Sequence, residues 1–459
     1  MVLENNLGKD DIKTLVTRLA IPSMLAQFVS VLYSVIDRMY IGNIAEIGEL
    51  ALAGVGVCGP IVTLISSFSA LIGFGGAPLL SIRMGEKDEE GAKKVVANSF
   101  MMLLIISIVL TVVSLGVKEK LLMWFGASDV TFPYANDYIT IYLLGTVFAL
   151  IAGGMNQFVI CQGFAKIGMK SVMLGAVMNL ILDPVFIFWC DMGVAGGALA
   201  TVISQACSAA FVLAFLFGKR PPVRITFGGY SAEVCKKILM LGFSPFIIIA
   251  FDNILVITLN TTLQKFGGPE RGDMMVTCGT IMQSFMLMVT MPLGGITSGT
   301  QSILGYNYGA RQMNRVRQGE MHILKIALIF CTVMFVLSQT CSRFFVLLFT
   351  QDPEYIAMSV RAIRISTLMI IPLAVQYTFV DGFTGMGIAY IAISLSFWRK
   401  SLFFIFVMIL PRFFGVEAVF WTEPIIDILA AATTTVVYIT QIGKILKKRM
   451  LTRNNSSIQ

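Results

Sequence analysis

Long apolar blocks separated by short polar connections dominate the chain. Twelve blocks stand out, at roughly 15–40, 51–77, 95–117, 134–157, 165–189, 194–217, 237–262, 274–300, 321–341, 355–380, 384–410 and 417–442. A helix needs about 20 apolar residues to cross a hydrocarbon core about 30 Å thick, and it satisfies its own backbone where no water can. The pattern therefore predicts an all-α polytopic membrane protein with twelve transmembrane helices.

The blocks fall into two sets of six around the longest polar connection, GKRPPVRITFGGYSAEVCKK. A shift of 223 aligns Pro22 with Pro245 and Asp37 with Asn260, and a shift of 224 aligns Gly75 and Gly85 with Gly299 and Gly309. A shift of 219 aligns Gly163 and Gly168 with Gly382 and Gly387. Near-constant offsets predict two pseudo-symmetric six-helix bundles: an N-terminal lobe over 1–218, a linker over 219–236, a C-terminal lobe over 237–446 and a basic tail over 447–459. Parallel repeats of this kind suit a rocking transporter with a midplane site.

Of 459 residues, 56% are apolar and 13% charged, against about a quarter charged in soluble domains. The net charge is +8, and the Lys and Arg residues gather in terminal segments and in connections such as RMGEKDEEGAKK, GKRPPVR and ARQMNRVR. These share one side of the twelve-span layout, so the excess reports orientation and no nucleic-acid partner is expected. Both termini are expected in the cytoplasm of a prokaryote, with the chain in its inner membrane. The opening MVLENNLGKDDIK lacks a small-residue cleavage site, which predicts a retained first span. One histidine, His322, and the absence of HExxH or GxSxG argue against an enzyme. The eight cysteines, without a CxxC, read as small apolar residues. GVGVCG, inside the second span, reads as helix packing and not as a dinucleotide loop.

Carboxylates inside a bilayer are costly and therefore point to function. Asp37, Asp183 and Asp252 are the candidates. Asp37 lies about 8 Å and Asp183 about 12 Å below the outer ends of their helices, at 1.5 Å per residue, and Thr201 reaches a similar depth. Tyr33 and Asp37 are four apart, as are Asn179 and Asp183, so each pair shares a helix face. Pro184 frees the Leu180 carbonyl. Two adjacent carboxylates with hydroxyl and amide neighbours can hold a proton, and the oxygens of Asp37, Asn179, Asp183 and Thr201 equally suit Na+. The plainer alternative pairs Asp37 with Arg38 and leaves Asp183 capping a helix. Pro22 predicts a kink in the first helix, which could serve movement or packing. Asp252, Asn253, Gln283, Met286 and Gln376 are expected to line a cavity, and Met282, Phe285, Met288 and Met291 crowd the same span as Met286.

GGAPLLSIRMGEKDEEGAKK, MKSVMLGAVMNLILDPVFIF, SILGYNYGAR and LFTQDPEYIAMSVRAIRI resemble multidrug and toxic compound extrusion (MATE) transporters, in particular the DinF-like and MepA-like bacterial branch. The resemblance covers nearly the whole chain. It implies two six-helix bundles in a V, export of organic cations or other drug-like molecules against H+ or Na+ entry, no further cofactor, lipid as surroundings and a monomer. It also implies a cation site in the N-terminal lobe at Tyr33, Asp37, Asn179, Asp183 and Thr201. The NorM-like branch uses two carboxylates of the C-terminal lobe, and the nearest positions here are Asn253 and Gln376, neither of them acidic. A lipid-linked precursor flippase is the alternative, but its cavity needs several cations, and only Arg399 and Lys400 approach the membrane interior.

Overall fold

A computed structural model describes residues 6–42, 44, 48–125, 127 and 129–451, and every regular element among them is helical. The first half comprises α1 (Ile12–Gly42), α2 (Gly48–Glu86), α3 (Glu89–Trp124), α4 (Phe132–Leu144), α5 (Thr146–Ile160), α6 (Ala165–Pro184) and α7 (Gly193–Phe217). The second comprises α8 (Ala232–Gly268), α9 (Met274–Gly309), α10 (Met313–Val346), α11 (Pro353–Ser366), α12 (Ile370–Gly385), α13 (Ala389–Phe414) and α14 (Thr422–Leu451). Gly268, at φ 69°, ends α8 in a conformation that glycine adopts without strain.

Among the described residues ten helices are long and apolar enough to cross a membrane, and the total reaches twelve when each of two bent pairs is taken as one span. The pairs α4/α5 and α11/α12, bent by 56° and 49°, stand in for the fourth and tenth spans, the same place in each half. Their local causes differ. At the first bend α7 presses in: a Cβ on Gly145 would sit 2.4 Å from a methyl of Val202. At the second, side chains of α10 occupy the break. Thr367 donates to Ser338 Oγ at 2.8 Å, and Gln339 Nε2 donates to Thr367 Oγ1 at 3.1 Å and to the Arg364 carbonyl at 3.0 Å. Groups inserted into a helix ladder are a recognised cause of kinks.

The halves meet along a seam with its own pseudo-two-fold symmetry. A Cβ on Gly85 would lie 2.0 Å from the Tyr306 carbonyl oxygen, and one on Gly309 would lie 2.2 Å from that of Ile82. Residues 82 and 306, like 85 and 309, are related by the 224-residue shift, so α2 and α9 cross through equivalent positions. Helix α1 spans the seam. Leu7, Ile12, Leu15, Val16 and Leu19 pack into the second-half core with Leu293, Ile303, Phe383 and Ile442, whereas its later turns face α6 and α7. Pro22 is buried within the continuous helix at this crossover, where α9 closes on Ser23 through Gly295 and Gly299.

The end that carries the termini is also tied by polar contacts between halves. Asn307 Nδ2 donates to the Leu7 carbonyl at 3.0 Å, Arg315 donates to the Asp10 carbonyl at 2.8 Å, and Arg449 pairs with Glu86. The last residues of the basic tail, 452–459, lie outside the described residues.

Candidate functional site

Three helices of the first half, α1, α6 and α7, bring the sequence-derived residues together. Pro184 closes α6, and a single π-helical turn, Val185–Trp189, follows. The fully buried Asp183 therefore sits at a break in the helix ladder. One turn earlier, Asn179 Nδ2 donates to Asp183 Oδ1 at 3.0 Å, the contact their spacing predicts. Asp37, on α1, faces Asp183 within electrostatic and hydrogen-bonding reach, and Tyr33 lies beside Asp37. Thr201, on α7, shares a hydrogen bond with Tyr138 of α4, which also borders Asp37.

Tyr138, Tyr142 and Gln205 are site members that the sequence reading missed. The two tyrosine rings stack with centroids 6.4 Å apart, and Tyr142 hydrogen-bonds Gln205 and Ser66. Tyr138 and Tyr142 are four apart, as are Thr201 and Gln205, so the rule that found Tyr33/Asp37 and Asn179/Asp183 would have found them too. The Arg38 side chain lies outside the described residues, and the proposed Asp37–Arg38 pairing with it.

A cavity of about 250 Å³ opens against this cluster, walled by Tyr33, Asn179, Thr201 and Gln205 and continuing to Asn156 and Ser171. Asp183 Oδ2, Gln205 Oε1 and Asn156 Oδ1 are buried acceptors that receive no hydrogen bond from the protein. An unmet acceptor in a buried site costs about 1–3 kcal/mol. The site thus has an excess of oxygen acceptors over donors, which suits a proton or a hard cation.

In the second half Asp252 lines a cavity and forms an ion pair with Lys400. Asn253 does not line the cavity that holds Asp252; its amide donates across the seam to the Pro60 carbonyl at 3.5 Å. Gln283, Met282 and Met286 do line that cavity, of about 220 Å³, and Gln376 lines an adjoining one of about 90 Å³. The methionine-rich stretch does not form one wall: Phe285 packs on Phe345 at 5.2 Å, and Met291 is 40% exposed.

Buried charges are also more numerous than the sequence suggested. Arg399 donates to Asp427 at 2.9 Å and to Glu423 at 3.2 Å. Asp381, expected in a connection, lies inside α12 and accepts from Thr297 at 2.5 Å. Glu320, expected just before the ninth span, is fully buried within α10 and accepts from Tyr438 at 2.6 Å.

Two bundles of six spans, equivalent in their bends and joined along a symmetric seam, define a multi-pass membrane protein with a polar chamber in each half. The chain belongs to the MatE family, whose model matches it twice, over residues 22–185 and 249–410. It is 22% identical over 414 residues to the multidrug export protein MepA of Staphylococcus haemolyticus (strain JCSC1435), covering 90% of both chains. Its fold matches an outward-facing multidrug resistance MATE family transporter of the MOP superfamily with a TM-score of 0.89 at 24% identity, over 96% of this chain and 98% of that one. It matches equally well, at TM-score 0.89 and 24% identity over the same shares, a MOP superfamily transporter from Pyrococcus furiosus Vc1 (DSM3638), for which a reversed pocket polarity was taken to suggest a different function.

Proposed function

We propose that the protein is a secondary exporter of drug-like, mainly cationic amphipathic molecules, driven by entry of H+ or Na+ through alternating access. The meeting of Asp37 and Asp183 beside a polar cavity carries this reading, and the relationship to multidrug export proteins supports it. A proton shared by the two carboxyls, or Na+ held by Asp37, Asn179, Asp183 and Thr201, removes their mutual repulsion. Binding then draws α1 and α6 together. Because the first turns of α1 pack in the other half, a change at Asp37 reaches the seam through a single helix. A coupling of about 1–3 kcal/mol is enough to bias the two orientations usefully.

In this cycle the lobes 1–218 and 237–446 rock about the glycine seam. The termini lie in the cytoplasm, and the protein acts as a monomer in the inner membrane. A flippase for phosphate-bearing lipids fits less well, because Arg399 and Lys400 are already engaged by Asp427, Glu423 and Asp252. Ethidium uptake into inverted vesicles, with a pH gradient or a Na+ gradient imposed separately, tests the function. Uptake should follow one of the gradients; uptake driven by neither overturns antiport.

A further inference from the structure

The second-half chamber contains an ammonium group of its own. Lys400 rises from α13 and pairs with Asp252 of α8, whose carboxylate is half exposed (48%) toward the cavity while Lys400 is mostly covered (12%). Around the pair the walls are apolar and polarisable, from Met282, Met286, Phe403 and Tyr377. Methionine and aromatic surfaces adapt to varied ligand shapes and attract cations. Nearby, Arg399 is engaged by two carboxylates, so it presents no unpaired positive charge to the chamber. The chamber therefore favours a cation in place of an anion.

We propose that Lys400 is a tethered stand-in for the substrate's positive charge: an organic monocation with an apolar body takes Asp252, and the Lys400 ammonium swings into the adjoining cavity. The inference rests on the export reading above and adds to it a binding residue, a competitor and a resting place for that competitor. Lys400 lines both cavities, and the second also contains Asp381 and Gln376. Gln376 Oε1 is a buried acceptor that receives no hydrogen bond from the protein, so it offers the displaced ammonium a partner. The exchange leaves no charge unpaired: the ligand cation compensates Asp252, while Asp381 and Gln376 receive Lys400. Without such a landing site, displacing a covered lysine would leave an uncompensated charge, the costly half of a broken ion pair.

The test is equilibrium binding of ethidium, a permanent monocation, to the purified full-length protein in detergent, followed by fluorescence anisotropy. Uncharged N-phenylnaphthylamine serves as the apolar control. Lys400→Met should tighten ethidium about tenfold, and Asp252→Asn should weaken it at least about tenfold. Gln376→Leu should weaken ethidium about threefold in the presence of Lys400 and have no effect in the Lys400→Met background, a coupling that a double-mutant cycle measures. N-phenylnaphthylamine should change less than about twofold throughout. Lys400→Gln, and the charge-neutral pair Lys400→Met with Asp252→Asn, give folded alternatives should a single variant fail to purify. Ethidium binding unchanged or weakened by both Lys400 variants overturns the proposal, as does a parallel change for the neutral dye. Failure of the export reading is a separate result: binding would shift as described while vesicles accumulate no ethidium under either gradient.

Discussion

The two halves repeat one architecture and oppose each other in their electrostatics. Each bends its fourth span and places carboxylates inside the bundle. In the first half Asp183 meets an amide, Asn179, and a second carboxyl, Asp37. In the second half Asp252 meets Lys400, and Asp427 meets Arg399. The counter-charge of Asp252 and of Asp427 is thus covalently built into the second half, whereas Asn179 and Asp37 bring Asp183 none. A site already holding its cation has to release it before another binds, and a site of acceptors alone takes one directly.

The largest expected effect follows from that contrast. Asp183→Asn keeps the hydrogen bonding of the helix break and removes the charge, so ethidium efflux from energised cells should fall to the level of cells lacking the protein. Membrane abundance by immunoblot should stay near wild type. Asp37→Asn should behave the same way. Efflux maintained by both variants would erase the functional difference between the halves.

In the second half the matching change should act on stability. Asp427→Asn leaves Arg399 with Glu423 alone in a buried setting, and breaking a buried ion pair costs about 3–5 kcal/mol. The unfolding midpoint in detergent should drop sharply and membrane abundance with it. Arg399→Met combined with Asp427→Leu and Glu423→Gln should recover much of the loss, because no covered charge is then left without its partner. A stable Asp427→Asn variant that transports poorly would instead place ion coupling in both halves.

The same contrast explains what the sequence made legible. Twelve apolar blocks predicted twelve spans because burial in lipid demands length and apolarity and little else. The first-half site was legible because its pairs lie four residues apart on one helix. Asp252 and Lys400 are separated by 148 positions and Arg399 and Asp427 by 28, so no local spacing announces them. The bends were hidden for a related reason. Gly145 and Thr367 are ordinary in their own segments, and only Val202 on α7 and Ser338 with Gln339 on α10 turn them into breaks. Hydropathy places Asp381 and Glu320 at the edges of spans, because it ends a helix where polar residues begin. The helices continue, with Thr297 and Tyr438 supplying the hydrogen bonds.

The seam offers a smaller test of the symmetry itself. Gly85→Ala and Gly309→Ala each place a methyl against backbone of the opposite half, at 2.0 and 2.2 Å from a carbonyl oxygen. Overpacking of this kind costs about 1–3 kcal/mol, and equivalent positions should respond alike. Gly116→Ala, on a helix face with nothing within 4 Å, is the control and should change the unfolding midpoint little. Unequal responses from the two seam glycines would mean that the halves are held together asymmetrically.

The smallest effect is expected where the halves are joined by charge. Arg449 of α14 pairs with Glu86 of α2 at the end carrying the termini, with the side chains 20% and 27% exposed. Partly exposed pairs contribute about 0–1 kcal/mol, since water competes for both partners. Glu86 also keeps Arg83 at 3.3 Å when Arg449 is removed. Arg449→Met should therefore shift the unfolding midpoint less than either seam alanine, and added salt should shrink the shift further. A larger loss than that of Gly85→Ala would mean that ion pairing, and not glycine-to-backbone packing, closes this end of the molecule, and the rocking proposed here would then turn on an electrostatic latch.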